Sequence, residues 1–267
     1  MESSVEQHLT PSRLGSVRDL WFEHLSGPDS LVLPSQDDNK RWFMGGELDR
    51  LCVERFAPTL EAIRHSGLKS GTDLIKTAKP GEASDWLSLV ILLDQMPRNC
   101  YRGDAAAVAF AVFDPMAREV ALAAMERGIP DENPQMRWQF AYRHWFYLPL
   151  MHSEDLAMHE KATQAYERMR RDAYALADAD ADEAKKHHPS QQGGDGQEHY
   201  RAKAAAVVRA SPEEARKLVD LYLEFERRHM AIIERFGRYP HRNKALGRVP
   251  TAEETEYLET GGEMFGQ

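Results

Sequence analysis

The residues able to do chemistry fall into three short blocks. The first is Asp94-Gln95-Met96-Pro97-Arg98-Asn99, with Arg102 shortly after it. Asp94 closes the apolar run Leu89–Leu93, so its carboxylate stands where water is scarce. A carboxylate in that position needs a partner or it takes up a proton. Arg98 follows one helical turn later, and Arg98 and Arg102 together can grip a carboxylate or phosphate through their planar forks. The same residues also fit a structural ion pair that ties down a helix end broken by Pro97.

The second block is His152-Ser153-Glu154-Asp155. Ser153 as a helix cap, with Glu154 and Asp155 complementing the helix dipole, accounts for three of these four residues. It does not account for His152, which follows the apolar Phe146–Met151. A histidine with a neighbouring carboxylate such as Asp155 can act as general acid or base; a hydrogen-bonded packing histidine is the alternative. The third block holds His229, Arg238, His241 and Arg242. His229 lies on a stripe with Leu218, Leu221, Tyr222, Phe225, Ile232, Ile233 and Phe236, so it is either a core histidine or one that reaches a central cavity. Arg238, His241 and Arg242 follow Gly237, where cations suit a helix C-terminus and also supply the second half of a basic clamp. The expected site is thus Asp94, His152 and Asp155 for proton transfer. Arg98, Arg102, His229, Arg238, His241 and Arg242 would hold the ligand.

Other chemistries lack their signatures. There is no GxSxG, GxxxxGK[ST] or HExxH, and no CxxC pair. No cofactor is implied and no metal site is expected; His187 and His188 sit in a polar linker whose composition explains them.

Helices must position these blocks. Val17, Leu20, Trp21 and Leu25 recur at helical spacing, with Ser12 or Ser16 as cap. The segment 84–96 is apolar nearly all round and predicts a central buried helix with Trp86, Leu89, Val90 and Leu93 in the core. Residues 104–127 predict two helices broken at Asp114-Pro115, and residues 135–148 one aromatic helical stretch. Ser153 opens a long helix, Ser211-Pro212-Glu213-Glu214 opens another, and Thr251 with Glu254 forms a capping box. Residues 178–199 are polar, repetitive and broken by Gly and Pro, which reads as a flexible insertion.

Composition sets the outer bounds. The chain has 267 residues, 42% hydrophobic and 29% charged, which suits one main globular domain. A net charge of -9 argues against nonspecific nucleic-acid binding, which needs basic surfaces. The longest apolar run is far short of the roughly 20 residues that span a bilayer. With two cysteines, Cys52 and Cys100, and no signal-like N-terminus, a reducing compartment is expected: the cytoplasm, with the nucleus also open.

Three motifs together resemble one family. They are Leu92–Asn99 with Tyr101-Arg102-Gly103, Phe146–Leu156, and His229–Asn243. In order and spacing they resemble the signature blocks of the domain-of-unknown-function family 924 (DUF924). The resemblance implies an all-α fold, a TPR-like array of antiparallel helices over about residues 12–260, and implies no reaction. The insertion at 178–199 is longer than usual there, and His159 stands where the family more often has Gln. The expected function is a polar pocket for a small anionic ligand or a peptide terminus. An enzyme using His152 as acid or base is the second reading, and an interaction scaffold with a protein partner the third.

Limited proteolysis is expected to cut first within residues 178–199, because that composition offers little apolar area to offset ordering. Deleting the segment should leave the melting temperature of the remainder in place; a large drop would show that the segment packs.

Overall fold

The central helix follows directly from its sequence. In Ala83–Asp94 every residue from Trp86 to Asp94 is buried, and a helix apolar all round must be enclosed by others. Its start is fixed by Asp85, whose carboxylate accepts from the N–H groups of Gly81 and Glu82 at 3.2 and 3.1 Å. Its end is set by Pro97, which has no N–H to continue the ladder and instead sits in the first turn of the short helix Met96–Cys100. The helices Pro11–Phe22 and Asp114–Glu126 pack against it.

The computed structural model describes residues 4–179 and 195–265, and among them there are helices and no strand. The fold is all-α, with one contiguous core running from Leu9 to Leu223. Packing is not confined to successive helix pairs, as a TPR-like array would have it. Pro11–Phe22 lies against Ala83–Asp94 across several intervening helices. The reason is the all-round apolar surface of the central helix, which needs cover from distant segments. Among the described residues no helix is long and apolar enough to cross a membrane.

Two long helices, Leu156–Asp178 and Pro212–Phe236, form the most extensive helix pair. The second ends at Gly237, whose positive φ of 66° lets its N–H reach the Ile233 carbonyl at 2.8 Å. Its buried face carries Leu218, Tyr222, Glu226, His229, Ile232 and Ile233. Leu221 and Phe225, expected on that face, are 43% and 37% exposed, because they fall at its margin rather than at its centre. Ile232, Ile233 and Tyr239 form a smaller second cluster with Phe236, Tyr257 and Phe265.

Several caps differ from the expected ones. Thr10, not Ser12 or Ser16, caps Pro11–Phe22. Asp155 rather than Ser153 caps Leu156–Asp178, and Ser211 makes no side-chain cap bond. The capping box of Thr251 and Glu254 is present. The aromatic stretch is four short helical pieces, Pro134–Trp138, Phe140–Arg143, His144–Phe146 and Leu148–Met151. Buried bulky rings on every side do not suit one straight helix. The expected insertion over 178–199 lies mostly outside the described residues; residues 195–199 belong to the helix Asp195–Ala210.

Leu93 is fully buried in the middle of this assembly. Leu93→Ala is expected to cost about 2–5 kcal/mol in chemical denaturation. A loss below about 0.5 kcal/mol would mean that the helix is not enclosed.

Candidate functional site

The site forms where the end of the central helix meets three other segments. Asp94 is 1% exposed, and its Oδ1 lies 2.8 Å from Nδ1 of His152. Its other oxygen accepts from Nε2 of Gln95 at 2.5 Å. Burial alone would raise this carboxyl, but His152 and Arg98 outweigh it and hold it down at about 2. The imidazole is pushed below its ordinary value by burial and by Arg98, against the pull of Asp94. The pair is therefore a carboxylate and a neutral ring at pH 7. Asp94 must then receive the Nδ1 hydrogen, which leaves Nε2 of His152 as the free lone pair. That nitrogen makes no hydrogen bond among the described residues, and the side chain is 13% exposed.

Arg98 caps the central helix by donating from Nη1 to the Asp94 carbonyl at 2.7 Å. The same guanidinium holds Asp114 in a fork, at 2.7 and 3.1 Å. Arg242, from the turn Pro240–Arg242, also donates to Asp114 at 3.3 Å and to the His152 carbonyl at 3.0 Å. Its guanidinium carbon lies 4.6 Å from the Phe110 ring centre and 4.5 Å from that of Tyr239. Burial and the neighbouring Arg98 lower its basicity, with Asp114 opposing. Arg98, His152 and Arg242 thus meet in one cluster, although they come from three distant parts of the chain.

His229 stands beside them, with its ring centre 6.4 Å from that of His152. Its Nδ1 donates to the Phe225 carbonyl at 2.7 Å. Burial holds it well below the ordinary histidine range. Phe265 stacks on one face of this ring at 3.5 Å. His241 has both ring nitrogens buried and without a hydrogen-bond partner, and burial pushes it down to about 3.

Three expected residues lie elsewhere. Asp155 is exposed and accepts from the Ala157 N–H at 2.9 Å, as a helix cap. Arg102 pairs with Asp49 at 2.6 Å, away from the cluster's own carboxylates. Arg238 forks onto Glu254 at 2.6 and 2.7 Å and so fastens the last helix. Conversely, sequence reading missed Asp114, which links both buried arginines. Its only local signal was a helix break before Pro115. A five-residue π-helical turn, Ala109–Phe113, immediately precedes it and carries Phe110; such turns interrupt helices where side chains must be re-aimed. Glu154, expected only to complement a dipole, instead forks with Arg248 at 2.6 and 3.0 Å and accepts the Tyr239 N–H. Behind the site, His159 bridges Glu226 and the Ser153 carbonyl, each at 2.9 Å. No group of three or more His, Cys, Asp or Glu among the described residues is arranged to hold a metal ion.

Residues 17–262 match the family described as a bacterial protein of unknown function, DUF924. The chain belongs to the DUF924 family. No curated protein and no solved structure matches it. In this DUF924 chain all three motif blocks contribute to the buried cluster, through Asp94 and Arg98, His152, and His229 and Arg242.

The buried histidines predict acid sensitivity. His144 and His241 are pushed to about 3, and His152 and His229 are also lowered, from an ordinary 6.5. The unfolded chain then binds more protons, so this stability is complete above about pH 6.5 and falls as pH drops toward the folded values. Each neutral histidine contributes a slope of up to about 1.4 kcal/mol per pH unit. Urea denaturation at pH 7.5 and pH 5 (about one unit or more below the unfolded histidine value) should show clearly lower stability in acid. Equal stability at both would mean that the rings are solvated.

Proposed function

We propose that the protein binds a small anionic ligand, a carboxylate or phosphate, at the Arg242–His152 cluster. The carrying observation is the state of the Arg242 guanidinium. Among the described residues, all its hydrogen bonds leave from Nη1. Nε is buried without a partner, and Nη2 makes no hydrogen bond among the described residues. The edge formed by Nε and Nη2 is one of the two-pronged faces by which arginine takes a carboxylate or phosphate. Phe110 and Tyr239 hold the group, so little order is lost on binding. A bound anion would also relieve the burial and repulsion that lower this guanidinium's basicity. The fork of Arg98, by contrast, is already filled by Asp114. The carboxylate of a peptide terminus presents the same chemistry to the Arg242 edge.

A second reading rests on a different observation. The Asp94–His152 pair leaves a neutral histidine whose Nε2 makes no hydrogen bond among the described residues, and Arg242 is bonded to the carbonyl of the same histidine. This is the arrangement of a general base whose tautomer is fixed by a carboxylate. On this reading the bound anion is a substrate, and His152 accepts or returns its proton.

Titration calorimetry with acetate and with inorganic phosphate at pH 7.5 tests anion binding. Arg242→Lys keeps the charge but loses the fork, and is expected to weaken binding about tenfold or more while the protein still folds. If neither anion binds and the variant only lowers the melting temperature, the cluster is a structural ion network.

A further inference from the structure

The hydrogen positions on two histidines constrain the ligand further; this inference rests on the anion site proposed above. Nδ1 of His152 faces the ionised Asp94 carboxylate, and Nδ1 of His229 faces the Phe225 carbonyl oxygen. A carboxylate and a carbonyl oxygen only accept, so both Nδ1 atoms carry hydrogen. Both rings are held neutral, so each Nε2 presents a lone pair. Neither Nε2 makes a hydrogen bond among the described residues. The two rings stand 6.4 Å apart, centre to centre, and Arg242 donates to the His152 carbonyl at 3.0 Å.

A lone pair of this kind takes either a metal cation or a hydrogen-bond donor. Two guanidinium groups in the same cluster oppose a cation, and two imidazoles are fewer than the ligands a stable metal site uses. A ligand carbonyl or ether oxygen would meet the lone pairs with its own and be disfavoured. What remains is an uncharged donor. We propose that the anion taken by this site also carries a hydroxyl or amide N–H beside its acidic group, and that Nε2 of His152 or His229 receives that hydrogen. The ligand class is thus a hydroxy acid, or an acylated amino acid or peptide terminus, rather than a simple anion. The guanidinium edge takes the acidic group and a histidine reads the neighbouring donor.

The test compares acetate, glycolate and methoxyacetate on the wild-type protein by NMR titration at pH 7.5. Glycolate carries a hydroxyl donor beside its carboxylate, and methoxyacetate places an ether oxygen there. Glycolate is expected to bind about threefold or more tighter than methoxyacetate, the worth of one neutral hydrogen bond. In His152→Phe or in His229→Phe the ratio should fall toward one, which identifies the reading histidine; thermal melting checks that each variant folds. Equal binding of glycolate and methoxyacetate by the wild type overturns the donor inference while leaving the anion site standing. A preference that survives in both variants overturns it as well. If none of the three binds, the anion site itself fails, and the inference with it.

Discussion

The carboxylate of Asp114 is the point on which the site depends. It is buried, and it faces two guanidinium groups, Arg242 buried and Arg98 nearly so, that come from distant parts of the sequence. Without it, Arg98 and Arg242 would lie against each other in a medium of low dielectric, where like charges repel strongly. With Asp94 opposite Arg98, two carboxylates balance two guanidiniums, and His152 can stay neutral. The directions in which Asp94 and His152 are pushed both carry the mark of Arg98 beside them. Asp114 also shapes the cluster, because it draws the turn Pro240–Arg242 against the end of the central helix.

Much of the fold was legible because the apolar run of 84–96, which by itself also fits a buried strand, is flanked by helical patterns on both sides, and Pro97, Gly237 and the Thr251–Glu254 box mark ends by mechanisms internal to the chain. What distant segments decide was not legible. Leu221 and Phe225 satisfy helical spacing as well as their neighbours do, yet are left exposed. The aromatic stretch 135–148 has helical periodicity, but it seats five bulky rings and Arg143 in the core and is broken into short turns.

The site divides along the same line. Asp94 and His152 stood out because each follows an apolar run, where a polar side chain is costly without a partner. That argument finds buried groups but cannot name their partners. Arg102 and Arg238 looked equivalent to Arg98 and Arg242 in the sequence. Their carboxylates, Asp49 and Glu254, are brought to them by helices that the local pattern does not link to them. Asp114 escaped notice for the converse reason: an acid at the start of a helix already has a sufficient local explanation in the helix dipole.

The chain contains its own control for telling a structural ion network from a binding site. Arg143 is as buried as Arg242 and is also surrounded by carboxylates. Its Nε donates to Asp131 and Tyr147, Nη1 to Asp172 and the Arg137 carbonyl, and Nη2 to Asp131. Every nitrogen of that guanidinium is engaged, and no edge is left for a ligand. This is what an arginine buried for the fold alone requires, since an unpaired buried donor costs on the order of 1–3 kcal/mol. Arg242 is buried to a similar degree, stacked between two aromatic rings and anchored through Nη1, yet Nε is left without a protein partner. Nearby acceptors that could have closed the gap, such as Glu154, are committed to Arg248. A fold under selection for stability alone would gain by filling the Arg242 edge as it filled that of Arg143. Leaving it unfilled carries a cost that an incoming anion would remove, and the proposed anion site rests on that difference between two arginines in one core.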